Sequence, residues 1–239
     1  MLEVKNLTKQ FYKTTAVRDA SFSVKSGEIF VLIGPNGSGK TTIIKTIAGL
    51  LKPTSGEVIV SGLDTVKKPA KAKAKTGYIP DEPSIWSRMT GEEFLHFSGA
   101  LYNISEKERE QKIPELLKIF NLAEVEKNYF EDYSRGNKQK FTILAALLHS
   151  PKLLLIDEPI VGLDPTSAET AKEKFREFAK AGGTVLVVTH TLSVAQKIAD
   201  RIGVLKKGEL VATGSFNELK RRAKLGDDAS LEDIYKALT

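Results

Sequence analysis

The 239-residue sequence contains no cysteine, which excludes disulfide bonds, thiolate metal sites and cysteine nucleophiles. It also lacks an apolar run near the roughly 20 residues that a membrane-spanning helix needs. The best candidates, Phe141–Leu148 and Val185–Val188, are far shorter. The opening residues Met-Leu-Glu-Val lack the basic flank and apolar segment of a signal peptide. We therefore expect a soluble, cytoplasmic chain.

The composition is that of a folded domain and not of a disordered chain. Hydrophobic residues account for 41% of the sequence and charged residues for 28%. The net charge of +6 comes mainly from lysine, and the run Lys67–Lys75 is rich in it. Such a balance suits a solvated surface, with nucleic acid or an anionic membrane as the alternatives. We expect no nucleic-acid partner.

Short aliphatic runs alternate with longer amphipathic segments along the chain. The predicted buried strands are Ile29–Ile33, Leu153–Ile156 and Val185–Val188, with a hairpin strand within Gly56–Gly62. The predicted helices are Lys40–Leu50, Gly91–Tyr102, Glu106–Phe120, Asn137–His149, Ser167–Ala181 and Leu192–Ile198. Residues 85–150 give no strong strand signal and predict a helical insertion. The alternation predicts an α/β fold with a mostly parallel sheet.

The most specific motif lies between the strand Ile29–Ile33 and a predicted helix. It consists of Gly34, Pro35, Asn36, Gly37, Ser38, Gly39, Lys40, Thr41 and Thr42, which is the P-loop pattern. Glycines let backbone N–H groups curl around phosphate oxygens without Cβ clashes, and the helix N-terminus favours the same anion. Lys40 is expected to reach the β- and γ-phosphates, and the Thr41 hydroxyl to ligate Mg²⁺.

An acidic pair follows the aliphatic strand Leu153–Ile156. Asp157 suits the aspartate that holds Mg²⁺ in nucleotide hydrolases, usually through water. Glu158 lies where the chain turns, at the sheet edge where open α/β proteins bind ligands. It is expected to orient or deprotonate the attacking water. Taken alone, an acidic pair suits a helix cap or turn, but together with the P-loop it indicates hydrolysis.

The region between the two motifs indicates the class of P-loop protein. Residues Asn137–Lys140 lack the aspartate of the Asn-Lys-x-Asp element by which GTPases read guanine. The segment Tyr133–Lys140 instead resembles the signature of the ATP-binding-cassette (ABC) ATPases, Leu-Ser-Gly-Gly-Gln. Gly162–Pro165 resembles the D-loop of that family, and Thr189 with His190 resembles its switch histidine. The resemblance covers essentially the whole chain.

The resemblance implies an ABC ATPase fold, Mg²⁺-dependent ATP hydrolysis and a site shared by two subunits. Phe11 falls where the family stacks an aromatic ring on adenine, and Val17 is expected among the nucleotide contacts. Two such domains close head to tail, so Ser134 and Gly136 would bind the γ-phosphate held by a second ABC ATPase subunit. His190 would contact the same phosphate. The second subunit can be the same chain or a different one.

Two segments depart from the family pattern. Arg135 and Asn137 replace the first glycine and the glutamine of the signature, whereas Ser134 and Gly136 are kept. Asp81 stands where the family usually has glutamine, and a shorter, charged side chain is expected either to coordinate Mg²⁺ more strongly or to miss it. The expected Mg²⁺ ligands are Thr41, Asp157 and Asp81.

The chain is expected to be a single ABC ATP-binding domain over residues 1–239. The nucleotide-binding core covers about 1–82 and 151–215 and includes a small antiparallel β subdomain; the helical subdomain covers about 83–150, and a C-terminal helical extension covers about 216–239. Ser230 and Asp233 form a capping-box pattern. One face of the following helix carries Leu231, Ile234, Tyr235 and Leu238, which predicts packing on its own domain, or else on a second subunit or a permease.

The segment Gly77–Pro83 and the ending Ser230–Thr239 resemble the branch of the family that serves drug, haem-related and other two-component exporters. We therefore expect the energy-coupling ATPase of an exporter, peripheral on the inner face of the cell membrane, which drives a separate permease. The permease is expected to contact Pro83–Leu101, where Trp86 is a candidate lining residue. The alternatives are a soluble ABC ATPase in cofactor assembly, translation or DNA maintenance, and a nucleotide-binding regulator without useful hydrolysis.

Overall fold

The computed structural model describes residues 1–83, 85–158, 160–226 and 228–239. In these ranges the strands form two sheets, one of four strands and one of six. In chain order the strands are β1 (Leu2–Phe11), β2 (Thr14–Val24), β3 (Ile29–Ile33), β4 (Ser55–Val60), β5 (Leu63–Asp64), β6 (Thr76–Ile79), β7 (Leu153–Asp157), β8 (Thr184–Thr189), β9 (Arg201–Lys206) and β10 (Glu209–Gly214).

Helices cover both the segments between parallel strands and the end of the chain. They are α1 (Lys40–Ile47), α2 (Pro69–Lys73), α3 (Gly91–Leu101), α4 (Glu106–Ile119), α5 (Arg135–Leu148), α6 (Pro165–Lys180), α7 (Leu192–Ile198), α8 (Phe216–Arg222) and α9 (Leu231–Leu238). A short 3-10 turn occupies Phe130–Asp132. None of the helices in the described ranges combines the length and apolar character that crossing a bilayer requires.

The six-stranded sheet has the order β10-β9-β3-β8-β7-β6 and is parallel except at β10. Every residue of β3, β7 and β8 is buried. These strands are aliphatic on both faces because helices or the second sheet cover both sides. The predicted α/β class and its mostly parallel sheet are confirmed. The carboxyl ends of β3, β7 and β8 meet at one edge, which places the motifs that follow them side by side.

The second sheet is antiparallel, in the order β2-β1-β4-β5. Its inner residues pack on the face of the large sheet that carries α1. Gly56, near the start of β4, lies in the left-handed region at φ 86°. A Cβ at this position would lie 2.3 Å from the Asn6 carbonyl oxygen. Only glycine allows β4 to approach β1 so closely. The predicted small antiparallel β unit is confirmed.

Helices α3, α4 and α5 occupy the segment between β6 and β7. Capping boxes at Thr90 and Ser105 begin the first two helices. Aromatic rings fill the core of this segment, with Phe130 in edge contact with three neighbouring rings, Phe94, Tyr133 and Phe141. The predicted helical insertion is therefore observed, although its treatment as a separate subdomain stays a prediction.

The structure differs from the sequence prediction in elements that were not predicted and in where a predicted helix ends. β6 was not predicted, because four residues that include glycine and threonine carry little periodicity. The first predicted helix ends early, at Ile47, because Gly49 adopts a left-handed conformation at φ 68°. Part of the lysine run Lys67–Lys75 forms the short helix α2.

The C-terminal helix α9 packs on its own chain. Leu231 and Ile234 are buried in the main core, and Tyr235 and Leu238 pack against it partly buried. The Ser230 capping box is present as predicted. Of the two expectations for this apolar face, packing on the same domain is the one observed.

Candidate functional site

The P-loop leads from the end of β3 into α1. Gly37 and Gly39 have φ values of 77° and 102°, where side chains are strained. A Cβ on Gly39 would also lie 2.5 Å from the Ala16 carbonyl oxygen. The first turn of α1 has no acidic residue. With no carboxylate competing there, the free N–H groups and the positive dipole end of this helix suit a phosphate.

Lys40 is buried inside this loop and is only 6% exposed. Its Nζ donates hydrogen bonds to the carbonyl oxygens of Gly34, at 2.8 Å, and Pro35, at 2.9 Å. Burial lowers the pKa of Lys40, while the negative charges of Glu158 and Asp157 act in the opposite direction. An ammonium held at this place can exchange a loop carbonyl for a phosphate oxygen with little movement.

Thr41 and Asp157 bring two oxygen ligands together at the ends of neighbouring elements. The Thr41 hydroxyl donates to Asp157 Oδ1 at 3.4 Å. Asp157 is 4% exposed, and burial raises its pKa to about 6, with smaller contributions from the charges of Asp81 and Glu158. A bound divalent cation would offset the cost of burying the charged Asp157 carboxylate. Hydroxyl and carboxylate oxygens fit Mg²⁺, which uses one or two carboxylates together with waters and phosphates.

Glu158 is held firmly by the end of the neighbouring strand β8. Its Oε2 accepts a hydrogen bond from the Thr189 hydroxyl at 2.7 Å, and its Oε1 accepts from the His190 backbone N–H at 2.9 Å. Oε1 also lies 2.7 Å from His190 Nδ1. The Glu158 backbone is left-handed, at φ 54°. Residues held in sparsely populated backbone regions cluster at functional sites, and Glu158 lies on the wall of the cavity described next.

These groups open onto one cavity of about 640 Å³. The predicted site residues on its wall are Phe11, Asn36, Gly37, Gly39, Lys40, Thr41, Thr42, Asp81, Asp157, Glu158 and His190. Phe11 is 40% exposed and lies near the Lys9 ammonium, at 4.8 Å from the ring centroid. Its partly exposed ring suits stacking on a base.

The remaining predicted residues lie elsewhere. Val17 is fully buried behind the P-loop, and its neighbour Ala16 lines the cavity in its place. The cavity wall does not include Gly34, Pro35 or Ser38 of the P-loop, nor Ser134 and Gly136 at the start of α5. Sequence reasoning did not assign Ala16, Glu82, Arg135 and Val161 to the cavity.

The segment Tyr133–Lys140, called the signature segment below, starts helix α5. The Ser134 hydroxyl caps the helix by accepting from the Asn137 N–H at 3.2 Å. Gly136 is required by close packing, because a Cβ would lie 2.6 Å from the Gly162 carbonyl oxygen. Lys140 Nζ lies 3.2 Å from Asp164 Oδ2. The helix start and the loop before α6 therefore form one packed unit.

Asp81 lies in the cavity but is already paired. Its Oδ1 accepts a hydrogen bond from Arg135 Nη2 at 3.0 Å, in an ion pair whose side chains are 45% and 50% exposed. The structure thus brings Asp81 near Asp157 and Thr41, the other expected Mg²⁺ ligands, while one of its oxygens is bound by arginine.

The site is that of a P-loop nucleotide hydrolase. This class follows from the geometry of the loop, the buried Lys40, the acidic pair after β7 and the histidine after β8. Comparison with known proteins gives the family. The family model described as ABC transporter matches residues 17–161. The linearmycin resistance ATP-binding protein LnrL of Bacillus subtilis is 38% identical over 97% of this chain and 74% of its own length. The ABC-type transporter ATP-binding protein EcsA of the same organism is 35% identical over 100% of this chain and 96% of its own.

Solved structures give the same result. One described as the ATP-binding subunit of an ABC transporter has a TM-score of 0.94 and 35% identity, and the match covers 100% of this chain and 99% of that one. The dimeric cassette MJ0796 bound to ADP and Pi has a TM-score of 0.82 and 28% identity, over 90% and 98%.

The chain therefore belongs to the ABC transporter family. It is an ATP-binding and ATP-hydrolysing subunit of that family, with Mg²⁺ as the usual partner of the nucleotide. The predicted family, fold and cofactors are confirmed.

Proposed function

We propose that this chain is the energy-coupling ATPase of an exporter and that it drives a separate membrane permease. The single observation that carries the ATPase part is the joining of Lys40, Asp157 and Glu158 in one cavity. The direction of transport is supported by the names of relatives. They include LnrL and the probable multidrug ABC transporter ATP-binding protein YbhF of Escherichia coli, which is 34% identical over 98% of this chain and 41% of its own length.

In this proposal Lys40 binds the β- and γ-phosphates inside the P-loop. The other P-loop residues supply backbone N–H groups, and Phe11 stacks on the base. Thr41 and Asp157 would hold Mg²⁺, and this ion would supply charge neutralisation on the phosphate oxygens. A buried carboxylate whose pKa is raised by burial gains most when such a cation arrives.

Glu158 is assigned as the general base for the attacking water. Its three hydrogen-bond donors are the Thr189 hydroxyl, the His190 N–H and the His190 ring. An ionised carboxylate can only accept, so in its role as a base Glu158 requires that His190 Nδ1 carries the proton of this pair. In the neutral ring His190 Nε2 is then an acceptor. Its proposed contact with a γ-phosphate oxygen therefore requires the imidazolium form, in which both ring nitrogens donate.

The signature segment is proposed to act on the nucleotide of a second ATPase subunit. Ser134 is exposed at the N-terminus of the 14-residue helix α5, whose first turn contains no acidic residue. Ser134 and Gly136 lie off the wall of their own chain's cavity. They therefore suit a phosphate brought by another molecule, as in a head-to-tail dimer. The subunits are either two copies of this chain or this chain with a relative.

The permease is proposed to contact the surface near Trp86, with the complex at the inner face of the cell membrane. Trp86 is 64% exposed and makes edge contact with Phe97, which is 38% exposed, at 5.4 Å between ring centroids. Phe94 is close to Phe97 in the sequence, but its ring packs on Phe130 instead. Exposed aromatic pairs of this kind are enriched at protein interfaces.

Crosslinking tests this proposal cleanly because the sequence has no cysteine. Trp86→Cys is labelled with a photoreactive group and incubated with membranes of the source cell. The control is Glu173→Cys, at an exposed position on α6. A product with an integral membrane protein for Trp86→Cys alone, together with Mg²⁺-dependent ATP hydrolysis, is expected. Hydrolysis without any membrane product would favour the soluble ATPase alternative.

A further inference from the structure

Two positions at which the sequence departs from the family pattern are in direct contact. Arg135 Nη2 lies 3.0 Å from Asp81 Oδ1 and 3.4 Å from the Asp81 carbonyl oxygen. The Arg135 alkyl chain crosses Gly162, where a Cβ would lie 3.2 Å from Cγ and Cδ. Arg135 therefore touches both the loop after β6 and the loop before α6.

The negative charges in the cavity favour the contact between Asp81 and Arg135. Asp81 shares the cavity with Asp157 and Glu158, and the Asp81 charge contributes to the raised pKa of Asp157. An uncompensated third carboxylate would strengthen this repulsion. Arg135 supplies the missing positive charge from the start of α5. A neutral glutamine at position 81 would need no such partner, so an acid at 81 and a base at 135 suit each other.

The pair also connects two parts of the molecule. Asp81 follows β6 of the central sheet by two residues, and Arg135 is the first residue of α5. Both side chains are about half exposed, at 45% and 50%. Exposed ion pairs contribute little to folding stability. A functional effect of this pair must therefore arise from the position it gives to the two segments.

We propose that Arg135 and Asp81 form a positioning pair for ATP hydrolysis. Arg135 holds the Asp81 carboxylate against the signature segment and so fixes residues 80–83 relative to the N-terminus of α5. Asp81 acts through Arg135 and does not bind the cation directly. The inference concerns the ATPase unit alone and is independent of any permease.

A double-mutant cycle tests the pair. The variants are Asp81→Asn, Arg135→Gln, the double variant and Arg135→Lys. Each neutral single variant should lower kcat by about fivefold or more with KM nearly unchanged, and the double variant should be no slower than the slower single. Arg135→Lys should recover much of the rate because it keeps the charge. Thermal unfolding should change little in all four.

A matched control is the Arg18 and Glu209 pair, which has the same chemistry away from the cavity. Its atoms are 3.1 Å apart, and its side chains are 64% and 52% exposed. Arg18→Gln, Glu209→Gln and their double variant should leave kcat within about twofold of the wild-type value, as expected for an exposed ion pair without a catalytic role.

A second readout needs neither nucleotide nor Mg²⁺. Trp86, the only tryptophan in the sequence, lies five residues after Asp81. Its fluorescence should change in the same way in Asp81→Asn, Arg135→Gln and the double variant, and not in the control pair. The proposal is overturned if the two effects on kcat multiply, if neither single variant changes kcat and fluorescence, or if either single variant unfolds. It is also overturned if Asp81→Asn raises the Mg²⁺ concentration needed for hydrolysis by the same factor in the wild-type chain and in the Arg135→Gln background.

Discussion

The nucleotide cavity and the signature segment place their functional groups in opposite environments. Lys40, Asp157 and Glu158 are at most 8% exposed, and each has its hydrogen-bond partners within the same chain. Ser134 is exposed at the start of α5 and is not part of the cavity wall. The buried groups are oriented by their own fold and act on the nucleotide of their own chain. Ser134 is available to another molecule.

The two regions are also built differently. Neighbouring parallel strands β7 and β8 fix the acidic pair and the switch histidine through backbone hydrogen bonds. The start of α5 is instead fixed by the aromatic cluster around Phe130 and by contacts to the loop before α6. Substitutions in the cavity should therefore change chemistry within one subunit, whereas a bulky substitution at Ser134 should change association.

The largest effect is expected at Glu158. Glu158→Gln keeps the side-chain size, and the Thr189 hydroxyl can rotate to accept from the new amide, but the basic carboxylate is lost. Hydrolysis should fall by about 10²–10⁴-fold, while ATP binding persists. Phosphate release and nucleotide titration measure the two quantities. Glu209→Gln, on the surface, is the control; a rate within tenfold of the wild-type value would remove Glu158 from its proposed role.

Lys40→Ala should abolish tight nucleotide binding. It removes the cation inside the P-loop, and loss of a buried charge partner weakens binding by about 10²-fold or more. Folding should persist, because the hydrogen bonds that Lys40 makes within the described residues go to carbonyl oxygens of its own loop. Equilibrium binding of ATP measures the effect, with Lys52→Ala at an exposed position as the control. Equal affinity in both variants would contradict the assignment.

Ser134→Arg tests the other side of the comparison. The bulky side chain should obstruct a phosphate brought by the second subunit, so the variant should bind ATP as a monomer but fail to dimerise. Ser134→Ala loses the helix cap, at a cost of about 1 kcal/mol, and the hydroxyl contact to the phosphate, but it adds no bulk and should still dimerise. Light scattering with Mg-ATP in a Glu158→Gln background distinguishes them. Normal dimerisation of Ser134→Arg would mean that the segment has no role in association.

The smallest effect is expected at His149, where α5 meets the central sheet. Its ring stacks on Tyr102 and its Nε2 lies 3.2 Å from the Thr76 carbonyl oxygen. Burial lowers the pKa of His149, although the hydrogen bond to Thr76 opposes this. The unfolded chain therefore binds the proton more strongly, and stability falls as pH decreases below the usual histidine pKa of about 6.5.

His149→Phe keeps a stacking ring without the titration. Between about pH 7.5 and about pH 5 the wild-type chain should lose more stability than this variant, as measured by denaturant unfolding at each pH. His96→Phe, at a partly exposed position on α3, serves as the control. An identical loss in His149→Phe and the wild-type chain would show that this histidine does not couple stability to pH.

The sequence predicted the cavity better than the signature segment. The P-loop, Asp157 and Glu158 are recognisable because each follows an aliphatic strand, and a parallel sheet brings strand ends together. Val17 was expected among the nucleotide contacts, but Ala16 faces the cavity, because adjacent residues of β2 point to opposite sides of the sheet. In a strand, an assignment that is wrong by one residue places the side chain on the opposite face of the sheet.

Local sequence determined the motifs, the caps and the class of fold, because these depend on residues close together in the chain. Only the tertiary structure decided that α9 packs on its own domain and that Asp81 meets Arg135. It also decided that Phe94 packs partly buried on Phe130, while Trp86 and Phe97 are exposed. Asp81 and Arg135 lie 54 positions apart in sequence. Their contact depends on how the helical segment packs beside the sheet, which no local pattern encodes.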